Sequence, residues 1–111
     1  MIIESPGNYQ QFSELIRKFD SICFYLSKDD CNVCKILKPK IQELISNFPK
    51  INFCYIDLEN AKEISGQLSI FSIPTILFYF DGKEIIRASR NINLEELKSQ
   101  IERYYKLIFE Y

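Results

Sequence analysis

Two cysteines three positions apart, in Cys31-Asn32-Val33-Cys34, stand where a strand-like run, Ser21 to Ser27, gives way to a helix-like one. With Cys31 at the start of a helix and Cys34 in its first turn, both sulfurs lie on one side and close enough to bond. The partial positive charge of a helix N-terminus favours Cys31 as a thiolate, the form that attacks disulfides. A pair so spaced, near a β-α-β pattern in a chain otherwise poor in cysteine, is a redox signature.

The flanking periods supply that pattern. Asn8 can cap a helix, with Gln11 at capping-box spacing, and Phe12, Leu15, Ile16 and Phe19 follow on one helical face. The run Ser21-Ile22-Cys23-Phe24-Tyr25-Leu26 is almost unbroken in its apolarity, which suits a central strand buried on both faces. After the cysteines, Leu37, Ile41, Leu44, Ile45 and Phe48 form a second apolar helical face, interrupted by Pro39, which should kink it. Ile51 to Asp57 reads as the next strand and about Asn60 to Gln67 as a short helix. Thr75 to Phe80 and Lys83 to Ala88, joined by Asp81-Gly82, form a hairpin, because Asp-Gly suits the positive φ angles of a tight primed turn. Asn93 and Glu96 repeat the capping spacing, and Leu94, Leu97, Ile101, Tyr104 and Ile108 line a last amphipathic helix. With a further strand near Ile2 and Ile3, the expected order is β-α-β-α-β-α-β-β-α.

Composition bounds the remaining choices. A chain of 111 residues with 47% hydrophobic and 14% aromatic content fits one domain, residues 1–111, with a substantial core. The 14 basic and 15 acidic residues are interspersed and leave a net charge of -1, so neither nucleic acid nor a membrane surface is an expected partner. The amino terminus has no basic region before an apolar stretch, and no apolar run approaches the ~20 residues that span a bilayer; a cytoplasmic location is expected. Cys23 and Cys54, each inside an apolar β-rich run, are expected to be small buried hydrophobes rather than members of a disulfide scaffold.

Over nearly its whole length the chain resembles the thioredoxins. Cys31 and Cys34 open a helix, Pro39 falls five positions after the second cysteine, Ile73-Pro74-Thr75 matches the family's cis-proline signature, and Gly82 follows at the family's spacing in the hairpin turn. The resemblance implies an α/β thioredoxin-like fold, with a mixed sheet of four to five strands flanked by helices on both faces. It implies a dithiol-disulfide oxidoreductase acting on protein disulfides in cell redox homeostasis, with an electron-donating reductase as partner and a monomeric state. The redox-active disulfide itself takes the place of a cofactor, and no metal is needed. By the same resemblance Cys31 is the nucleophile and Cys34 the resolving thiol, Pro74 faces the pair, and Ile73, Asp30 and Val33 contact the substrate, whose chain lies beside Ile73 as an added strand.

Several positions depart from the family. Asp30, Asn32 and Val33 stand where thioredoxins usually carry Trp, Gly and Pro, and the chain has no Trp. Asp29 and Asp30 place negative charge beside Cys31, which opposes thiolate formation unless solvent screens it. The family's buried carboxylate, six positions before the first cysteine, is Tyr25 here, and its lysine partner falls at Phe53, so aromatics replace both members of an ion pair. Proton transfer from Cys34 must then use water or another group. Arg90 occupies the place of the family's glycine before the last helix.

These departures keep a second reading open, a binding or adaptor module with the same groove and little turnover. A zinc or iron-sulfur site finds no support, since the chain has no histidine and no second Cys-x-x-Cys. Asn91, Asn93 and Glu95 do not reproduce the glutathione-binding motif of the related glutaredoxins.

Overall fold

In the computed structural model, which describes residues 3–110, Asn8 accepts the Gln11 amide at 2.8 Å and starts α1 (Tyr9–Lys18). The Gln11 side chain reaches back, but to the amide of Gly7 at 2.7 Å rather than to Asn8, a capping box displaced by one residue. There follow β1 (Ser21–Ser27), α2 (Asn32–Ile45), β2 (Asn52–Asp57), α3 (Lys62–Gln67), β3 (Thr75–Phe80), β4 (Lys83–Ser89) and α4 (Leu94–Phe109). Asn93 caps α4 by accepting the amides of Glu95 and Glu96. Asp81 and Gly82 hold φ angles of +53° and +78°, the paired left-handed geometry for which Asp-Gly is suited, so β3 and β4 close as a tight hairpin.

The sheet runs β2-β1-β3-β4, with β1 and β2 parallel and the other two pairings antiparallel. A strand between two neighbours and under helices on both sides has no exposed face, which is why every residue of β1 is buried. Alternation along β1 divides the core. Cys23 and Tyr25 join Cys34, Ile41, Phe78, Ile101 and Tyr105 on the face covered by α2 and α4. Ile22, Phe24 and Leu26 join Phe12, Cys54, Ile56, Ile64 and Leu77 on the face covered by α1 and α3. Phe12, fully buried, lies 4.6 Å from the Phe24 ring and meets Tyr79 edge-on at 5.5 Å.

Four strands form the sheet among the described residues, and Ile3 belongs to none of them. Ile2, the other residue of the expected first strand, lies outside the described residues. β2 begins one residue and α3 two residues later than the apolar pattern implied. In α4 the fully packed side chains are Leu97, Ile101 and Tyr105; Leu94, Tyr104 and Ile108 are only partly buried. Tyr105 sits against Phe48 at 5.2 Å, and its hydroxyl accepts the Lys50 amide at 3.3 Å, so a polar tip satisfied at the core edge makes it an interior residue. One β-bulge was not anticipated: Phe78 faces Ile86 but Tyr79 faces Glu84, leaving Ile85 without a partner in the ladder.

Cys23 and Cys54 are buried free thiols. In the parallel register Cys23 faces Phe53 and Cys54 faces Phe24, which puts the two sulfurs on opposite sides of the sheet. Burial raises the Cys23 thiol well above its usual value and pushes Cys54 up to about 12. Thiol reagents should therefore modify neither group in native protein near pH 7 and both after unfolding, as read by mass spectrometry of alkylated peptides. Because both folded-state pKa values lie above the unfolded value of about 8.5, the stability these groups contribute is complete below that pH and is lost as pH rises toward 12. Denaturant midpoints should accordingly fall between pH 8.5 and 11.

Candidate active site

Strand β1 delivers the chain through Lys28, Asp29 and Asp30 to Cys31, the N-cap of α2. The Cys31 amide donates to the Lys28 carbonyl at 3.1 Å, closing the turn that leads into α2. Cys31 and Cys34 form a disulfide with their α-carbons 5.3 Å apart. The Cys31 sulfur also accepts the Cys34 amide at 3.2 Å, the capping role that Ser or Asp performs in other helices. A sulfur so placed faces the unpaired amides of the first turn, which stabilise negative charge on it. The two cysteines differ in access: Cys31 is partly exposed, while Cys34 is 2% exposed.

Beneath the pair, the aromatic that stands in place of the family's carboxylate is also a hydrogen-bond donor. Tyr25, fully buried, donates its hydroxyl to the Cys34 carbonyl at 2.7 Å. Burial pushes this phenol up to about 12, with the neighbouring Tyr55 as a lesser cause, so it stays a donor at neutral pH. Tyr55 stacks on Tyr25 at 6.3 Å, Phe53 lies at 6.4 Å, and the Lys38 ammonium sits 4.5 Å over the Tyr55 ring. The strand pairing that places Tyr25 beside Tyr55 is readable only once the β1-β2 register is known. Asp29 takes a 3.4 Å contact from the Tyr55 hydroxyl and is turned toward that aromatic group. Asp30 is exposed next to Cys31, without a hydrogen-bond or ion-pair partner among those described.

The Ile73–Pro74 peptide bond is cis, and Pro74 is buried. Thr75 fixes the turn from within by donating its hydroxyl to the Ser72 carbonyl at 2.6 Å. Val33, 66% exposed, and Ile36, 65% exposed, form with Ile73 and Pro74 the wall of an open groove of about 380 Å³ beside the cysteines. Of the residues expected to contact substrate, Val33, Ile73 and Pro74 line this groove and Asp30 does not. Ile36 and Phe71 went unrecognised in the sequence; Phe71 is 87% exposed, and its signal was a phenylalanine set in the serine-containing loop before Pro74. Arg90, at the edge of the groove, has a φ of +51°, and Asn91 one of +39°. The backbone thus keeps a left-handed bend that glycine adopts freely and other residues adopt at about 1–2 kcal/mol. Among the described residues no group of three or more histidine, cysteine or carboxylate side chains is placed to hold a metal ion, and no helix is long and apolar enough to cross a membrane.

A sequence model of the family described as Thioredoxin matches residues 5–103. The chain is 31% identical over 83 residues to the Thioredoxin-like protein YdfQ of Bacillus subtilis, covering 75% of this chain and 74% of that one. It is 36% identical over 72 residues to the thioredoxin of Mycoplasmoides gallisepticum, covering 65% of this chain and 72% of that one. Among solved structures, thioredoxin 1 of Thermosipho africanus superposes with a TM-score of 0.71 at 34% identity, over 78% of this chain and 96% of that one. Mitochondrial thioredoxin 3 of Saccharomyces cerevisiae, in its oxidised form, superposes with a TM-score of 0.81 at 24% identity, over 91% and 94%, and speaks for the fold.

Proposed function

The chain belongs to the thioredoxin family and is a thioredoxin-like dithiol-disulfide oxidoreductase, and we propose that Cys31 is its nucleophile, Cys34 its resolving thiol, and Ile73, Pro74 and Val33 the surface that seats the substrate. The observation that carries this reading is the unequal access of two bonded sulfurs at one helix N-terminus, Cys31 partly exposed and Cys34 2% exposed.

In the reducing direction the Cys31 thiolate attacks one sulfur of a substrate disulfide, forming a mixed disulfide and releasing the other substrate sulfur as a thiolate. Cys34 then gives up its proton and attacks the Cys31 sulfur. The Cys31–Cys34 disulfide forms and the second substrate thiolate leaves. Two electrons have passed to the substrate, and a dithiol donor must return them. The family acts on protein disulfides with reductase partners. For this chain we extend that to an electron-donating reductase, a monomeric state and a cytoplasmic setting.

Holding the substrate calls for main-chain hydrogen bonds beside Ile73 and apolar contact with Val33 and Ile36, which lie on the same groove as Pro74. Tyr25 anchors the Cys34 carbonyl and so positions the resolving thiol from below. The test is reduction of a protein disulfide such as that of insulin by the dithiol form. Turnover that stops when either cysteine is alkylated supports the assignment; disulfide exchange no faster than with free dithiothreitol would sink it and leave a binding module.

A further inference from the structure

Three grooves meet along the segment from Ile70 to Pro74. The first is the one walled by Val33, Ile36 and Pro74, with Lys40 and Arg90 at its edge. The second passes Ile73 and Phe71 toward Lys28 and Lys62. The third lies beyond Phe71, toward Arg87 and Arg90. Five cationic side chains line these grooves and no carboxylate does, in a chain whose acids outnumber its bases by 15 to 14. The acids nearest the sulfurs in sequence, Asp29 and Asp30, line none of the three.

The cations are not equally available. Arg87 is held by Glu84 at 2.7 Å and donates to the Leu68 carbonyl at 2.9 Å, so it braces the loop. Lys28 is 3.9 Å from Glu59 with both side chains well exposed, a pairing that solvent screens. Lys40, Lys62 and Arg90 have no carboxylate partner among the described residues. Arg90 holds its charge at a φ of +51°, where a glycine would be easier to accommodate. Between the flanking cations Phe71 stands 87% exposed, an aromatic surface that a docked chain would remove from water.

We propose that this surface selects protein disulfides set in an extended acidic segment. The substrate carries an apolar side chain that covers Phe71, and Asp or Glu residues on either side that meet Lys28 and Lys62 on one flank and Lys40 and Arg90 on the other. The proposal rests on reading Cys31–Cys34 as the exchanging pair and adds to it the charge of the partner.

The experiment uses the reduced full chain and two peptides, each with one internal disulfide and the same apolar residues, one flanked by Asp and Glu and the other by Asn and Gln. Bis(2-hydroxyethyl) disulfide, small and uncharged, reports the exchange chemistry alone. The acidic peptide should be reduced with a kcat/KM about five- to tenfold higher, the sum of a few exposed ion pairs. The difference should lie in KM and should shrink in 0.5 M salt, where the screening length falls to about 4 Å. A doubly charge-reversed variant, Lys62→Glu with Arg90→Glu, should prefer the neutral peptide, and Phe71→Ser should raise KM for both. Equal rates for the two peptides while the small disulfide is reduced would overturn the proposal and leave the oxidoreductase intact. Failure to reduce even the small disulfide would overturn the underlying reading. A preference for the neutral peptide, or one insensitive to salt, would refute the electrostatic selection; an unchanged KM in Phe71→Ser would remove Phe71 from it.

Discussion

Cys34→Ser protein mixed with disulfide substrates will accumulate covalent complexes through Cys31, whereas Cys31→Ser will accumulate few, and both will lose turnover. Cys31 is reachable and caps α2 with its own sulfur, while Cys34 is 2% exposed with its carbonyl tied to Tyr25. Attack is therefore expected to begin at Cys31. Without the Cys34 sulfur the mixed disulfide has no internal thiol to break it, because Cys23 and Cys54 are buried in the core. Non-reducing electrophoresis followed by peptide mapping reads the result directly. Complexes held through Cys34 in the Cys31→Ser protein, with none in the Cys34→Ser protein, would reverse the two roles.

The parts of the molecule that depend on local chemistry were legible in the residues. Asn8 and Asn93 are side chains that cap the helices they precede, Asp81-Gly82 closes its hairpin, and Cys31-x-x-Cys34 bonds across one turn. Each rests on contacts between residues a few positions apart. What the sequence concealed depends on pairing at a distance. The Tyr25 hydroxyl reaches the Cys34 carbonyl only because β1 lies directly under α2, and no periodicity records that contact. Tyr105 outranks Tyr104 in the core because Phe48 and the Lys50 amide wait for it across the fold. The even mixing of charges along the chain likewise concealed the gathering of Lys28, Lys40, Lys62, Arg87 and Arg90 around one loop.

Tyr25→Asp will destabilise the protein by at least about 3 kcal/mol at pH 7, from three sources. The ring is fully buried in the same cluster as Cys34 and Ile76, its cross-strand partner on β3, so its removal leaves a void of the kind that costs about 3–5 kcal/mol for an aromatic side chain. The Cys34 carbonyl loses the Tyr25 donor. The new carboxylate also faces Phe53 and Tyr55, where no lysine stands on β2 to pair with it. Tyr25→Phe keeps the ring and removes only the hydroxyl, so it should cost about 1 kcal/mol, and the contrast separates packing from hydrogen bonding. The acid variant carries a further signature. Burial raises the folded-state pKa of the introduced carboxyl above its unfolded value of about 3.9. Destabilisation should therefore be smallest near pH 4 and grow as pH rises through the folded-state value, in denaturant titrations across that range. Lys38, whose ammonium rests 4.5 Å over the Tyr55 ring, is a cation beside this group of aromatics. A loss that does not vary with pH would mean that Lys38 or water compensates the new charge, and a loss under about half a kcal/mol would contradict the burial of Tyr25 altogether.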